Sequence, residues 1–162
     1  MGEIIIRAAT LADVPTLKQF EQGVIEAERP FDAGLKPDPI TYYDIDQLVA
    51  SSDVRFAVAE SDGVLVACGY AKIMEAKPYL KHDREAYFGL MYVLPDFRRQ
   101  GINNLILDDL YRWTISRGVT ELMLEVYPDN IGAVRAYEKA GFKPYVLQMH
   151  ASLDTRTLQT EE

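Results

Sequence analysis

The run Ala86-Tyr87-Phe88-Gly89-Leu90-Met91-Tyr92-Val93 constrains this chain more than any other stretch of it. It is apolar without alternation, so a strand made from it has to be covered on both faces and lie inside a sheet. Leu94-Pro95-Asp96-Phe97-Arg98-Arg99-Gln100-Gly101 ends that strand as a short basic turn and leads into a helix to about Arg117. A doubly covered strand followed directly by a helix predicts an α/β domain.

The rest of the sequence supplies the other elements. Ile4-Ile5-Ile6 reads as a first strand. Thr10, with Asp13 three residues on, offers a variant capping box, and Leu11, Val14, Leu17, Phe20, Val24 and Ile25 follow at helical spacing. Residues 29–39 form a Pro-punctuated loop, and a second helix is expected from a Thr41 cap to about Ser51. Strands at 54–60 and 64–75 meet at the hairpin signal Ser61-Asp62-Gly63. After the helix that follows Gly101 come a strand at 121–127, a helix at 130–140 and a final strand at 143–152. The order β-α-α-β-β-β-α-β-α-β predicts a sheet that is antiparallel early, with a crossover helix between its fourth and fifth strands.

Composition narrows the function. The 162 residues fit one domain, expected over 1–155, with 156–162 as a disordered acidic tail. Lys and Arg number 17 against 25 Asp and Glu, a net charge of −8, which is a poor fit to a nucleic-acid backbone. The surplus is concentrated in residues 1–60, where it could favour a cationic amine or simply serve solubility. No apolar run approaches the ~20 residues of a membrane span. Cys68 is the only cysteine, which excludes an internal disulfide and, with the missing span, points to the cytoplasm. Its neighbours make it a small apolar core residue. His82 and His150 lie in unrelated contexts, and no metal site is expected.

Two segments carry chemistry. The first is the turn from Arg98 to Asn103. The first N–H groups of a helix lack internal partners, and the helix dipole adds positive character there, so a phosphate suits that end. Gly101 allows close backbone approach, while Arg98 and Arg99 add charge. Neither G-x-G-x-x-G nor a P-loop is present. The second is Asn130 to Phe142, in which Asn130, Ala133, Tyr137 and Ala140 share one helical face. That stripe, a polar cap, a small residue and a tyrosine, suits either a ligand surface or an interfacial aromatic.

Arg98-Arg99-Gln100-Gly101-Ile102-Asn103 resembles the Arg/Gln-x-x-Gly-x-Gly/Ala turn of the Gcn5-related N-acetyltransferases, with Asn103 departing from the usual Gly or Ala. Asn130 to Phe142 resembles that family's Asn-x-x-Ala-x-x-x-Tyr-x-x-x-Gly-Phe helix. The match covers about residues 86–145, and earlier residues agree in element order only. The resemblance implies a GNAT-type mixed, mostly antiparallel central sheet flanked by helices and splayed between strands 4 and 5. It implies acetyl-CoA as acyl donor, held by backbone groups of Met91, Tyr92 and Val93, by the turn residues Arg98, Arg99, Gln100, Gly101, Ile102 and Asn103, and along Asn130, Ala133 and Tyr137. A bulge is implied around Gly89 to Tyr92. Tyr137 matches the family's proton donor to the departing thiolate. Glu125 is placed like the base of the ribosomal-protein N-terminal branch, or is an exposed acid near a strand end; Glu85, Tyr87 and a water relay are weaker candidates.

The expected reaction is direct acetyl transfer to a primary amine, which must lose its proton to attack. The oxyanion needs a donor, for which a strand-four N–H near Met91 or Tyr92 is suited. A small-molecule acceptor is favoured slightly over a peptide or protein N-terminus. Competing functions are a non-catalytic CoA-binding module and a phosphate-ligand sensor. Tyr42, Tyr43 and Tyr79 lie where the family often builds its acceptor pocket, and serve equally as surface or core aromatics. Homodimers are common in the family resembled, and no residue here marks one. Neither nucleic acid nor a membrane is expected as a partner.

Overall fold

The computed structural model describes residues 2–154; the tail expected at 156–162 lies outside them. Five strands pair in chain order: β1 (Ile4–Ala8), β2 (Val54–Ser61), β3 (Val64–Glu75), β4 (Arg84–Val93) and β5 (Leu122–Met123). The first three pairings are antiparallel and β4–β5 is parallel. This is the mixed, mostly antiparallel sheet expected, with helices on both faces.

Strand alternation sorts the core. Phe56, Val58, Cys68, Tyr70 and Leu90 face α1 (Val14–Glu28) and α2 (Ile45–Ala50), where they meet Val14, Leu17, Phe20, Ile45 and Leu48. The opposite face carries Ala57, Ala59, Val66, Ala67, Ala71, Ala86 and Phe88 against Ile102, Ile106, Leu107 and Leu110 of α3 (Ile102–Ser116). Its row of alanines lets α3 lie close to the sheet. β4 is covered on both sides, as its unbroken apolar run requires. Cys68 is buried in this core, and burial pushes its thiol well above the ordinary range.

The first helix starts as expected. The Asp13 carboxylate accepts from the Thr10 N–H at 2.7 Å, after which a 3-10 turn passes into α1. The same carboxylate binds the Arg7 guanidinium at 2.7 and 2.9 Å and is held down to about 2, chiefly by that hydrogen bond.

Three expectations are corrected. α2 begins at Ile45 rather than beside Thr41, because Asp44 caps it by accepting the Gln47 N–H at 3.1 Å. Residues 42 and 43 are held instead by the buried Glu21 carboxylate, which accepts both backbone N–H groups at 3.0 and 2.8 Å. β5 covers only Leu122–Met123 instead of 121–127, because it leaves β4 at that point. Residues 143–152 form no strand and are exposed throughout. Their apolar pattern marks an extended segment, but among the described residues it finds no sheet partner. α4 (Ile131–Lys139) docks through the Tyr111 hydroxyl, which donates to the Ala140 carbonyl at 2.9 Å, and through Phe142 against Phe88.

Candidate active site

The cleft starts from a register fault in β4. Cys68 pairs with Tyr92 and Tyr70 with Gly89, so Leu90 and Met91 together face Gly69. This is a β-bulge, with Leu90 in the left-handed region at φ 46°, where the resemblance placed it. A bulge bends its strand. The β4–β5 pairing correspondingly ends at Tyr87 and Met123, and the two strands splay beyond it.

The bulge also sets the directions of the next side chains. Tyr92 packs on Phe20 of α1 with ring centroids 5.1 Å apart, while Met91 and Val93 lie against the α3-side core. Leu94 donates its N–H to Val66 at 2.8 Å. By the alternation of an antiparallel ladder, the Val93 N–H then faces the open β5 side and the Tyr92 N–H faces β3.

The basic turn comes next. Pro95–Phe97 make one 3-10 turn, Arg99 takes φ 62°, and Gly101 takes φ 78° as the N-cap of α3. No described side chain caps α3, and a Cβ at Gly101 would meet nothing within 4 Å. Arg98 is turned back, its Nε donating to the Val93 carbonyl at 3.0 Å and its guanidinium lying over the Tyr92 ring. Gln100 is also engaged, donating to the Asp96 carbonyl at 3.2 Å. The side chains of Arg99 and Asn103 make no hydrogen bond or ion pair among the described residues. The free amides, the open space over a left-handed glycine and an unengaged cation together fit a diphosphate.

The other wall is α4. Asn130 spends its side-chain oxygen on the helix, accepting the Ala133 N–H at 3.4 Å, so it acts as a cap. Ala133 and Tyr137 are half-buried on the same face. Burial pushes the Tyr137 phenol up to about 12, with smaller contributions from the Glu28 carboxylate and Tyr87. Its ring meets Phe142 edge-on with centroids 5.9 Å apart.

Glu125 is exposed just past β5. Its charge acts on Tyr70, Tyr87 and Tyr127, although burial is the larger cause of the raised pKa at each phenol. Glu85 is engaged elsewhere, 3.0 Å from the His82 ring. No group of three or more potential metal ligands occurs among the described residues.

The fold adds residues that the sequence did not single out. Glu28, at the end of α1, is raised by burial, less so by the nearby Asp32 charge, and is drawn down by Tyr42. The Tyr42 hydroxyl is sealed from solvent and close enough to Glu28 to couple their titrations, without closing into a hydrogen bond of standard geometry. Asp32 accepts from the Tyr127 hydroxyl at 2.6 Å and from the Gly34 N–H at 2.9 Å. These bonds lower its pKa, and His150 adds a smaller pull. Tyr127 is itself pushed to about 12, first by burial and then by that hydrogen bond. Three carboxylates and four phenols (Tyr42, Tyr87, Tyr127 and Tyr137) are thus linked electrostatically. Tyr42 and Tyr43 lie in the loop before α2, their rings edge-on with centroids 5.9 Å apart, whereas Tyr79 is 77 % exposed. Cavities of about 690 and 210 Å³ border that loop rather than the cleft between β4 and β5.

A bulge in β4, a β4–β5 pairing that ends early and a helix α3 with no side-chain cap together define a mixed α/β fold opened between its fourth and fifth strands. The chain belongs to the Acetyltransferase (GNAT) family, whose model matches residues 22–142. An aminoglycoside N(6')-acetyltransferase type 1 of Salmonella typhimurium is 23 % identical over 110 residues, which make up 66 % of this chain and 74 % of that one. The BH1408 protein of Bacillus halodurans, as a tetramutant, superposes with a TM-score of 0.83 at 20 % identity, covering 92 % of this chain and 99 % of that one. A predicted acetyltransferase of Clostridium acetobutylicum with acetyl-CoA gives a TM-score of 0.71 at 20 % identity, over 99 % of this chain and all of that one. The protein is an acetyl-CoA-dependent N-acetyltransferase that acts on an amine. No described helix is long and apolar enough to cross a membrane.

Proposed function

We propose that this chain acetylates a small, cationic primary amine in the cytoplasm by direct transfer, through a single catalytic domain spanning 1–155. The observation that carries the proposal is the group Glu28, Asp32, Glu125, Tyr42, Tyr87 and Tyr127, which gathers three carboxylates and three phenols on the acceptor side of Tyr137. Such a lining draws in an ammonium group and orients it through charged hydrogen bonds and aromatic faces. It offers nothing to a phosphate backbone or an acidic membrane surface.

Acetyl-CoA supplies an activated acetyl thioester; the roles proposed here for the chain are to hold the donor, orient the amine and manage protons. The amides at Ile102 and Asn103, the backbone at Gly101 and the Arg99 side chain hold the diphosphate, with Arg98 and Gln100 bracing the turn. The open edge at Met91 and Val93 aligns the arm that leads to the acetyl group, and the Val93 N–H faces the cleft where an oxygen acceptor would lie. Ala133 leaves room on α4, and Asn130 fixes the start of that helix. Tyr92 braces β4 against α1.

An amine with a pKa near 10.4 arrives protonated and has to lose a proton before it attacks. Two carboxylates can take that proton. Glu125 can do so directly or through water, and Glu28, raised by burial, binds a proton more readily than an exposed glutamate. At about 12, Tyr137 stays protonated at neutral pH. Because a thiol titrates near about 8.5, the phenol stabilises the departing sulfur by donating a hydrogen bond more than by giving up its proton outright.

Thiol release from acetyl-CoA, measured with amines of graded charge, tests the proposal. Diamines and polyamines should turn over at lower KM than neutral-bodied monoamines, and Asp32→Asn should raise KM for the dications severalfold while leaving the KM for acetyl-CoA in place. Equal efficiency across the panel, or a clear preference for peptide N-termini, would refute the acceptor assignment. The pH profiles of Glu28→Gln and Glu125→Gln separate the two bases: loss of the acidic limb of kcat/KM marks the one that takes the proton.

A further inference from the structure

Leu90 is the residue on which the β4 bulge turns. It is 2 % exposed and sits at φ 46°, a conformation that a bulky L-residue keeps only where its surroundings fix it. Side chains stand at both of its backbone polar groups. The buried Cys68 thiol donates to its carbonyl at 3.3 Å. Its N–H lies beside the Tyr43 hydroxyl: burial raises that phenol most, and the Leu90 amide draws it down. The Tyr43 ring also supports the bulge through Tyr70. The two rings meet edge-on with centroids 5.6 Å apart, and the Tyr70 hydroxyl covers Gly89, 2.5 Å from where a Cβ there would lie.

Tyr43 stands outside the sheet, in the loop before α2, and a buried acid fixes it there. Glu21 of α1 is 1 % exposed, and one of its carboxylate oxygens accepts the Tyr43 N–H at 2.8 Å and the Tyr42 N–H at 3.0 Å. Among the described residues no cation pairs with it. A carboxylate withdrawn from water without a counter-ion has to be held by hydrogen bonds, so the acid and the two amides fix each other. The Tyr42 hydroxyl lies near Glu28, and the Tyr43 hydroxyl near Leu90. One acid therefore sets a pair of residues that meets the carboxylate–phenol group on one side and the bulge on the other.

We propose that Tyr43 is a positioning residue for the donor cleft: Glu21 fixes its backbone, and its ring and hydroxyl hold Gly89 and Leu90 in the bulged register that aims the Val93 N–H into the cleft. The inference rests on the donor arm of the proposed reaction lying along Met91 and Val93, and on nothing about the amine. Loop and donor edge then share one anchor. A ligand that settles the bulge also settles residues 42 and 43, because coupling between two places is mutual.

Amide hydrogen exchange on unmodified protein, with and without CoA, tests this. CoA should slow exchange at Val93 and also, about threefold or more, at Tyr42 and Tyr43, whose N–H groups face Glu21. Tyr43→Phe keeps the ring and removes the hydroxyl. It should raise the Kd for CoA about fivefold or more in titration calorimetry of the folded protein, which a loss of stability alone would not do. Glu21→Leu should do the same. Glu21→Gln, whose side-chain carbonyl can still accept both N–H groups, should stay within about twofold of wild type. Val93 exchange that is indifferent to CoA would remove the donor reading and this inference together. Protection at Val93 with no change at 42 and 43 would overturn the inference and leave the donor reading standing. So would a Tyr43→Phe affinity within about twofold of wild type, or a loss in Glu21→Gln equal to that in Glu21→Leu.

Discussion

Replacing Gly101 separates two contributions of one position. At φ 78° an alanine takes on the left-handed conformation, which costs an L-residue about 1–2 kcal/mol, and its Cβ meets no neighbour, so no clash is added. Gly101→Ala should therefore lower Tm by about 2–8 °C for a chain of this length. Gly101→Glu carries the same backbone strain and adds a negative charge at the uncapped end of α3. At roughly 5 Å from a phosphate charge, with an effective dielectric constant of about 20–80, the repulsion is about 1–3 kcal/mol, which corresponds to about 5- to 150-fold in CoA affinity. Titration calorimetry with CoA on both variants isolates this charge effect as the difference between them. That difference should shrink at about 1 M salt, where the Debye length is about 3 Å. A folded Gly101→Glu protein that binds CoA within twofold of wild type would show that the diphosphate does not sit on this helix end.

Further outcomes follow from other positions. Tyr137→Phe should lower turnover about 100-fold or more while CoA affinity stays within about threefold; a matching loss of affinity would make Tyr137 a packing residue. Gly89→Ala places a methyl group where the Tyr70 ring now lies, 2.5 Å from its hydroxyl, and should cost about 1–3 kcal/mol in denaturant unfolding; an unchanged midpoint would mean that the ring moves freely. The Asp13 carboxyl titrates at about 2 in the folded chain against about 3.9 unfolded, so the stability it contributes is complete above about pH 4 and is lost as pH falls towards 2. Asp13→Asn should therefore lower stability at pH 7 by about 1–2 kcal/mol and flatten the acid limb between pH 4 and 2. A limb that keeps its slope would place that titration elsewhere.

What the sequence revealed depended on how local the cause was. The doubly covered β4 follows from eight consecutive apolar residues, and the α3 cradle from a glycine placed before a helical pattern. Asn130 was legible as a helix start, and its side-chain oxygen caps α4. The acceptor-side group was not legible. Asp32 and Tyr127 are 95 positions apart, and only the end of α1 and the splay past β5 bring them to 2.6 Å. Glu28 looks like any exposed helical acid until the fold half-buries it near Tyr42. Thr41 failed as a cap because Asp44, nearer the apolar pair Ile45 and Leu48, does the same work. Residues 143–152 show the remaining limit: alternation announces an extended segment but does not name the edge it joins.

A crystal structure with CoA bound tests the central claim most directly. The diphosphate oxygens should lie within about 3.2 Å of the Ile102 and Asn103 N–H groups, and the sulfur within hydrogen-bond reach of the Tyr137 hydroxyl. A diphosphate bound away from α3, or a Tyr137 hydroxyl turned into the Phe142 packing with the sulfur out of reach, would contradict the account.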